Sequence, residues 1–332
     1  MPLPARYQAL LLAAKGPGAS SFLTALRGTC ADLQMPDAHM RIACQFRLGL
    51  DIQVLVDARL AGAQCPKYKS SRYDGVSRTY VSVPREQCRG ICDSKGDHVL
   101  ACKTGSQGRI GRHDCLVYKL RRIFQEHGAT VTTCKAALEE HMRRHDVPGV
   151  ASVKHYTPDG RAVWADGSRD IVWDNAITGF NQAANASSVP GASVRNIEQA
   201  KFKLYESALN AQPPVIDSIV PFGQDSAGQV GPQALKLLKA LAKRRAAQLA
   251  AGQDRQSEDA KRSVQYMLQS IGVGLMRYQA DMLLRTCGAQ QRARAGTRAR
   301  ARLVQPRLGA RLVRRVVGGH VQCHPGQLSL GA

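Results

Sequence analysis

The stretch Cys88-Arg-Gly-Ile-Cys92-Asp-Ser-Lys-Gly-Asp-His98-Val-Leu-Ala-Cys102 constrains this chain more than any other. Three thiols and one imidazole fall within fifteen residues, spaced C-x3-C-x5-H-x3-C among glycine and polar side chains. Donors at this spacing can close around one tetrahedral Zn²⁺, as in a zinc knuckle, and a closed site of that kind folds its loop rather than catalysing. The expected ligands are Cys88, Cys92, His98 and Cys102. Cys65, in a Cys65-Pro66 turn, is an alternative to Cys88, and Cys115 reads as helix packing. His320 and Cys323-His324 offer a second possible set of donors.

Charge narrows the partners. Forty-seven Lys and Arg stand against 25 Asp and Glu, a net charge of +22 in 332 residues. Such an excess repels itself and calls for a polyanion; phosphate backbone is the first choice and an anionic membrane surface the competitor. No apolar run reaches eighteen residues, so no spanning helix is expected. Tyr7–Ala14 is apolar but lacks the basic start and cleavage pattern of a secretory signal. Ten irregularly spaced cysteines do not make a disulfide scaffold and fit a reducing compartment. Asp281 is the last acidic residue, and the run Arg292–Arg302 has no apolar periodicity, so the tail is expected to stay unordered until it meets an anion.

The pattern along the chain predicts an α/β (α+β) class, with a small mixed sheet flanked by helices. Residues 1–60 read as a helical lead-in, with a helix over Ala38–Leu48 whose Met40, Ala43, Cys44 and Leu48 share one face. Residues 61–87 read as a loop and 88–114 as the knuckle. Leu116–His127 is a strong amphipathic helix stopped by Gly128, and Thr130–Thr133 a strand. A hairpin follows, with arms Arg161–Ala165 and Asp170–Thr178 around the turn Asp166-Gly167-Ser168. Helix Ile197–Leu209, strand Val215–Pro221 and helix Pro232–Gln253 complete a domain over 115–253. A helical extension (254–286) and a basic tail (287–332) close the chain.

Carboxylates gather in that hairpin. Asp170 and Asp174 share a strand face because the side-chain period is two, and Asp166 lies in the turn between the arms. Carboxylates on adjacent strand ends can hold Mg²⁺, which polarises a phosphate and activates water, while a nearby lysine stabilises the extra charge. Lys201 and Lys203, on the next helix, are the candidates. The same aspartates also fit a plain turn and a solvent-facing strand. His113-Asp114 reads either as an acid–base pair or, more simply, as a histidine that caps or orients its helix.

Several motifs, in order, resemble the C-terminal region of site-specific non-LTR retrotransposon reverse transcriptase proteins. They are Phe22–Leu26, Met40–Leu50, Gly96-Asp-His98-Val-Leu-Ala-Cys102, Arg109-Ile-Gly-Arg-His-Asp114, Asp174-Asn-Ala-Ile-Thr178 and Lys201-Phe-Lys-Leu-Tyr205. That region carries a CCHC knuckle and a restriction-enzyme-like PD-(D/E)XK nuclease, and the resemblance spans roughly residues 20–245. It implies a Mg²⁺-dependent endonuclease that nicks target DNA, with structural Zn²⁺, DNA and retrotransposon RNA as partners, and nuclear residence. Asp174 would be the metal carboxylate of the second strand and Lys201 the active-site lysine, with Lys203 the fallback. Trp164-Ala165-Asp166 best matches the first-strand aspartate, with Asp170 second. No polymerase core with its paired Asp-Asp turn is visible. The alternative is a zinc-dependent nucleic-acid-binding protein without catalytic activity.

Overall fold

The structure is a computed structural model that describes residues 4–25, 33–74, 79–104, 107–133, 135, 137–138, 157–168, 170–179, 189–210, 218–249 and 253–312. Residues 1–287 form one compact unit and residues 288–332 a second. The lead-in, the cysteine-rich segment and the sheet expected as separate domains therefore belong to one body.

Helices α1 (Ala5–Ala14), α2 (Asp37–Arg47) and α3 (Gln53–Asp57) open the chain. In α2 the buried face is Ile42, Ala43 and Phe46, while Leu48 is exposed beyond the helix end. The predicted helix is present, turned by about one residue, because Phe46 rather than Leu48 closes the apolar stripe. Residues 61–87 are not a loop: β1 (Tyr68–Asp74) and β2 (Thr79–Gln87) pair antiparallel. Alternating Tyr80-Val81-Ser82-Val83 favours a pleated strand even within polar surroundings.

After the short helix α4 (Asp97–Ala101) comes α5 (Gln107–Glu126), ended by Gly128 at φ +80°. A four-stranded sheet follows: β3 (Thr130–Thr132), β4 (Gly160–Val163), β5 (Ile171–Thr178) and β6 (Ile219–Asp225), in that order. The first three are antiparallel, and β6 lies parallel to β5. A parallel neighbour needs a crossover, and α6 (Ala192–Leu209) supplies it, packing on both strands. Strand alternation turns Trp173 to one face and Asp174 to the other. On the first face Trp173 stacks on Phe124 of α5, with ring centroids 4.5 Å apart, and joins Leu120, Phe222, Leu238 and Ile271 in one core.

Helices α7 (Pro232–Leu249) and α8 (Gln253–Leu312) complete that core, and α8 also reaches the N-terminal helices through Ala280, Leu283 and Cys287. The second unit begins at Gly288 and is helical to Leu312, so the arginine run expected to be unordered is helical here. His320, Cys323 and His324 lie outside the described residues.

Candidate functional site

Two groups of chemically active side chains emerge, one on the sheet and one in the cysteine-rich segment. On the sheet, the register Gly160↔Trp173 sets the preceding residue, Asp159, across from Asp174. The Asp159 amide donates to the Trp173 carbonyl at 3.0 Å, and the two carboxylates come within hydrogen-bond reach. Asp174 is 4 % exposed. Its Oδ2 accepts from Lys201 Nζ at 2.7 Å and from the Tyr205 hydroxyl at 2.9 Å. Lys201 and Tyr205 lie four residues apart on α6, one helical turn, so both side chains reach the same carboxylate. Asp159 Oδ2 accepts from the Asn175 amide at 2.6 Å and pairs with His113 Nε2, on α5, at 2.9 Å.

The electrostatics follow from this crowding. Burial, together with the Asp159 charge, pushes Asp174 up to about 6, against the pull of Lys201 and Tyr205. Burial pushes Asp159 up as well, but the His113 hydrogen bond and charge outweigh it and hold the carboxyl below its usual range. His113 in turn is raised to about 8, first by its hydrogen bond to Asp159. Burial and the neighbouring Asp174 raise Tyr205, which therefore stays a donor. The result is two adjacent carboxylates ringed by a lysine, a phenol and an imidazole.

Of the residues singled out in the sequence, Asp174 and Lys201 meet here. Asp166 does not. It is exposed in the turn beyond β4 and ion-pairs with Arg244, whose guanidinium also lies 4.7 Å over the Trp164 ring. Asp170 is held by Arg161, and Lys203 is exposed on α6. The aspartate set across from Asp174 is Asp159 instead, and the signal for it was available as Pro158-Asp159 directly before β4. His113 is neither a helix cap nor a partner of Asp114 alone: its closer contact is Asp159, 46 residues away, against 3.4 Å to Asp114.

The second group is Cys65, Cys88, His98 and Cys102, whose donor atoms all lie within 4.8 Å of one another. Cys88 Sγ is 3.6 Å from Cys102 Sγ and 3.5 Å from His98 Nε2, and Cys65 Sγ is 3.9 Å from Cys102 Sγ. Bonds of about 2.3 Å from tetrahedral zinc to sulfur give an edge of roughly 3.8 Å between ligands. The set could therefore hold a metal ion such as zinc. Cys65 joins Cys88, rather than replacing it, and takes the place expected for Cys92. Backbone pairing explains the exchange: Cys65 N donates to Gly90 O and Cys88 N to Lys67 O, which lays the Cys65 and Cys88 segments side by side. Cys92 is buried and contacts Cys65 but is not part of the four. Gly90 is required by closeness, since a Cβ there would lie 2.0 Å from His98 Cε1. Cys102 is raised by its hydrogen bond with Cys65 and by burial. Cys115 is half-buried on α5, with its thiol 3.7 Å from the Gly274 carbonyl, in line with a packing role.

No family model, curated protein or solved structure matches this chain. No helix among the described residues is long and apolar enough to cross a membrane.

Proposed function

We propose that the chain is a divalent-metal-dependent DNA endonuclease of the restriction-enzyme-like class, derived from a retrotransposon and stabilised by structural zinc. One observation carries the reading: Asp159 and Asp174 stand side by side on neighbouring strands with Lys201 on the same carboxylate. The element order supports it too, with three antiparallel strands after a helix and then a helical crossover to a parallel strand.

The donor chemistry fits a hard cation. Burial and the neighbouring Asp159 charge raise the proton affinity of Asp174, and a divalent ion between the two carboxylates relieves that repulsion. Neither contact from Lys201 and Tyr205 to Asp174 uses Oδ1. Asp159 and Asp174 would hold Mg²⁺, which when bound supplies positive charge at a phosphate oxygen and acidifies coordinated water. Tyr205 fixes the rotamer of Asp174. His113 orients Asp159 through Nε2. Lys201 lies where it can transfer its hydrogen bond from Asp174 to a phosphate oxygen or to the attacking water. The charge of +22 and the zinc-bound segment serve DNA binding through the phosphate backbone. RNA of the same element and nuclear residence belong to this reading.

The test is nicking of supercoiled plasmid by the purified chain with Mg²⁺ or Mn²⁺. Asp174→Ala and Asp159→Ala should each lower the rate by at least about 100-fold, and Lys201→Ala by a similar factor, as for loss of a charge-stabilising group. Asp166→Ala should nick at the wild-type rate. Nicking that survives Asp159→Ala but not Asp166→Ala would remove this assignment. The engagement of Asp174 by both Lys201 and Tyr205 favours a second reading, in which the chain binds nucleic acid without cleaving it. Folded protein that binds DNA and never nicks would establish that reading instead.

A further inference from the structure

A polar cavity of about 260 Å³ lies between the cysteine-rich segment and the sheet, lined among others by Asp97, Lys103, Arg109, Arg112, Ile177 and Ser226. It is smaller than the roughly 300–1,000 Å³ clefts that enclose drug-sized ligands, so it suits a small group rather than an organic cofactor. Three of these residues are cationic. The one carboxylate, Asp97, is already engaged by Arg6, whose Nε and Nη2 reach Oδ2 and Oδ1 at 2.5 and 3.1 Å.

Arg112 is the unusual member. It is 6 % exposed, and its Nε is buried with no hydrogen-bond partner. No carboxylate among the described residues pairs with it. Burial first, and then the neighbouring Arg109 charge, lowers Arg112 to about 10, which still leaves the guanidinium charged near neutral pH. A buried cation without a counter-charge is costly, and a second arginine at the same cavity adds to the cost. An anion in the cavity would remove both penalties.

We infer that this cavity is an oxyanion site for a phosphate group, with Arg112 at its base and Arg109 and Lys103 at its rim. The planar fork of a guanidinium matches two phosphate oxygens at once, and exposed Arg109 and Lys103 close over the remaining charge. The group can come from a polynucleotide backbone or from free phosphate. The first source rests on the proposed nuclease function; the pocket itself does not. Position favours the backbone. Arg112 directly precedes His113, which holds Asp159, so consecutive residues of α5 serve the cavity and the carboxylate pair.

The experiment titrates the full-length chain with inorganic phosphate by calorimetry. The wild type should bind phosphate, and Arg109→Ala combined with Lys103→Ala should weaken it by about tenfold at unchanged melting temperature, as for loss of charge-assisted hydrogen bonds. Arg112→Gln should abolish it. Because Arg112→Gln can also unfold the chain, the rim double variant decides: phosphate binding unaffected by it, or undetectable in the wild type, overturns the proposal. A duplex oligonucleotide that displaces phosphate identifies the backbone as the source, whereas one that binds beside it identifies free phosphate. Asp174→Ala should still bind phosphate, so a failure of the nuclease reading is read from nicking alone.

Discussion

Asp225 closes β6 with its side chain fully buried. One carboxylate oxygen accepts the amides of Ala227 and Gln229 at 2.9 and 3.0 Å, and the other has no partner. Burial dominates, so the carboxyl is pushed up to about 7 despite those bonds and the nearby Arg47. A carboxyl raised in the folded state binds its proton more tightly there than in the unfolded chain. Stability therefore rises as pH falls from about 7 towards about 4, and is flat in this term above and below that window. Asp225→Asn should flatten the dependence, which melting temperatures between pH 4 and 8 would reveal; an unchanged slope excludes Asp225 as its source. The same residue scale explains what the sequence could and could not give away at the carboxylate site. Asp166 falls in the turn of the hairpin that the sequence predicts, whereas Asp159 lies just before its first arm at Arg161. The pairing register decides between them, setting one across from Asp174 and leaving the other beyond the turn with Arg244. Pro158-Asp159 carried the information, but the long polar stretch before it gave no strand to attach it to. Lys201 was legible because its distance from Asp174 is bridged by a helix with a clear apolar face.

At the scale of elements, α7 owes its start to a residue on another helix. Glu198, on α6 and 2 % exposed, accepts the amides of Gln233 and Ala234 in the first turn of α7 at 3.1 and 3.0 Å, and the Gly223 amide of β6 at 3.4 Å. A carboxylate at a helix N-terminus satisfies donors that the helix itself leaves open and meets its positive end. Glu198→Ala removes all three bonds in a buried place and should cost about 3 kcal/mol in urea unfolding, with Glu198→Gln costing less. A change within about 0.5 kcal/mol would show that water replaces the carboxylate. Helices α5, α6 and α7 were legible from their 3.6-residue periodicity. The β1–β2 pair was not, because lysines, serines and tyrosines dilute its alternation. The cap by Glu198 was invisible in sequence for a different reason: its partners lie 35 and 36 residues away.

For the whole molecule, the cysteine-rich segment is part of the core rather than an appendage. Cys65, Cys88 and Cys102 pack in the same cluster as Leu10, Ile42 and Phe46 from the N-terminal helices and Leu283 from α8. Removing a bound zinc ion with a chelator should therefore lower the melting temperature of the entire unit in one transition, rather than release a local loop. Metal analysis distinguishes the ligands: Cys65→Ser should lose zinc, and Cys92→Ser should retain about one ion per chain. Retention in Cys65→Ser with loss in Cys92→Ser would restore the ligand set read from spacing alone. That spacing picked out three of the four clustered donors; the fourth, Cys65, which the sequence offered only in place of Cys88, lies 23 positions before it and is brought near by the backbone pairing of the two segments.

The turn after β6 has a consequence for how copies of this chain meet. The chain doubles back so that the Gly231 amide reaches the Gly223 carbonyl and the Asp225 amide reaches the Gln229 carbonyl, both at 2.9 Å. The outward main-chain groups in the second half of β6 are thus capped by the chain's own return. A strand from another molecule finds nothing to zip onto there, and runaway stacking of sheet on sheet is blocked at that border by the fold itself.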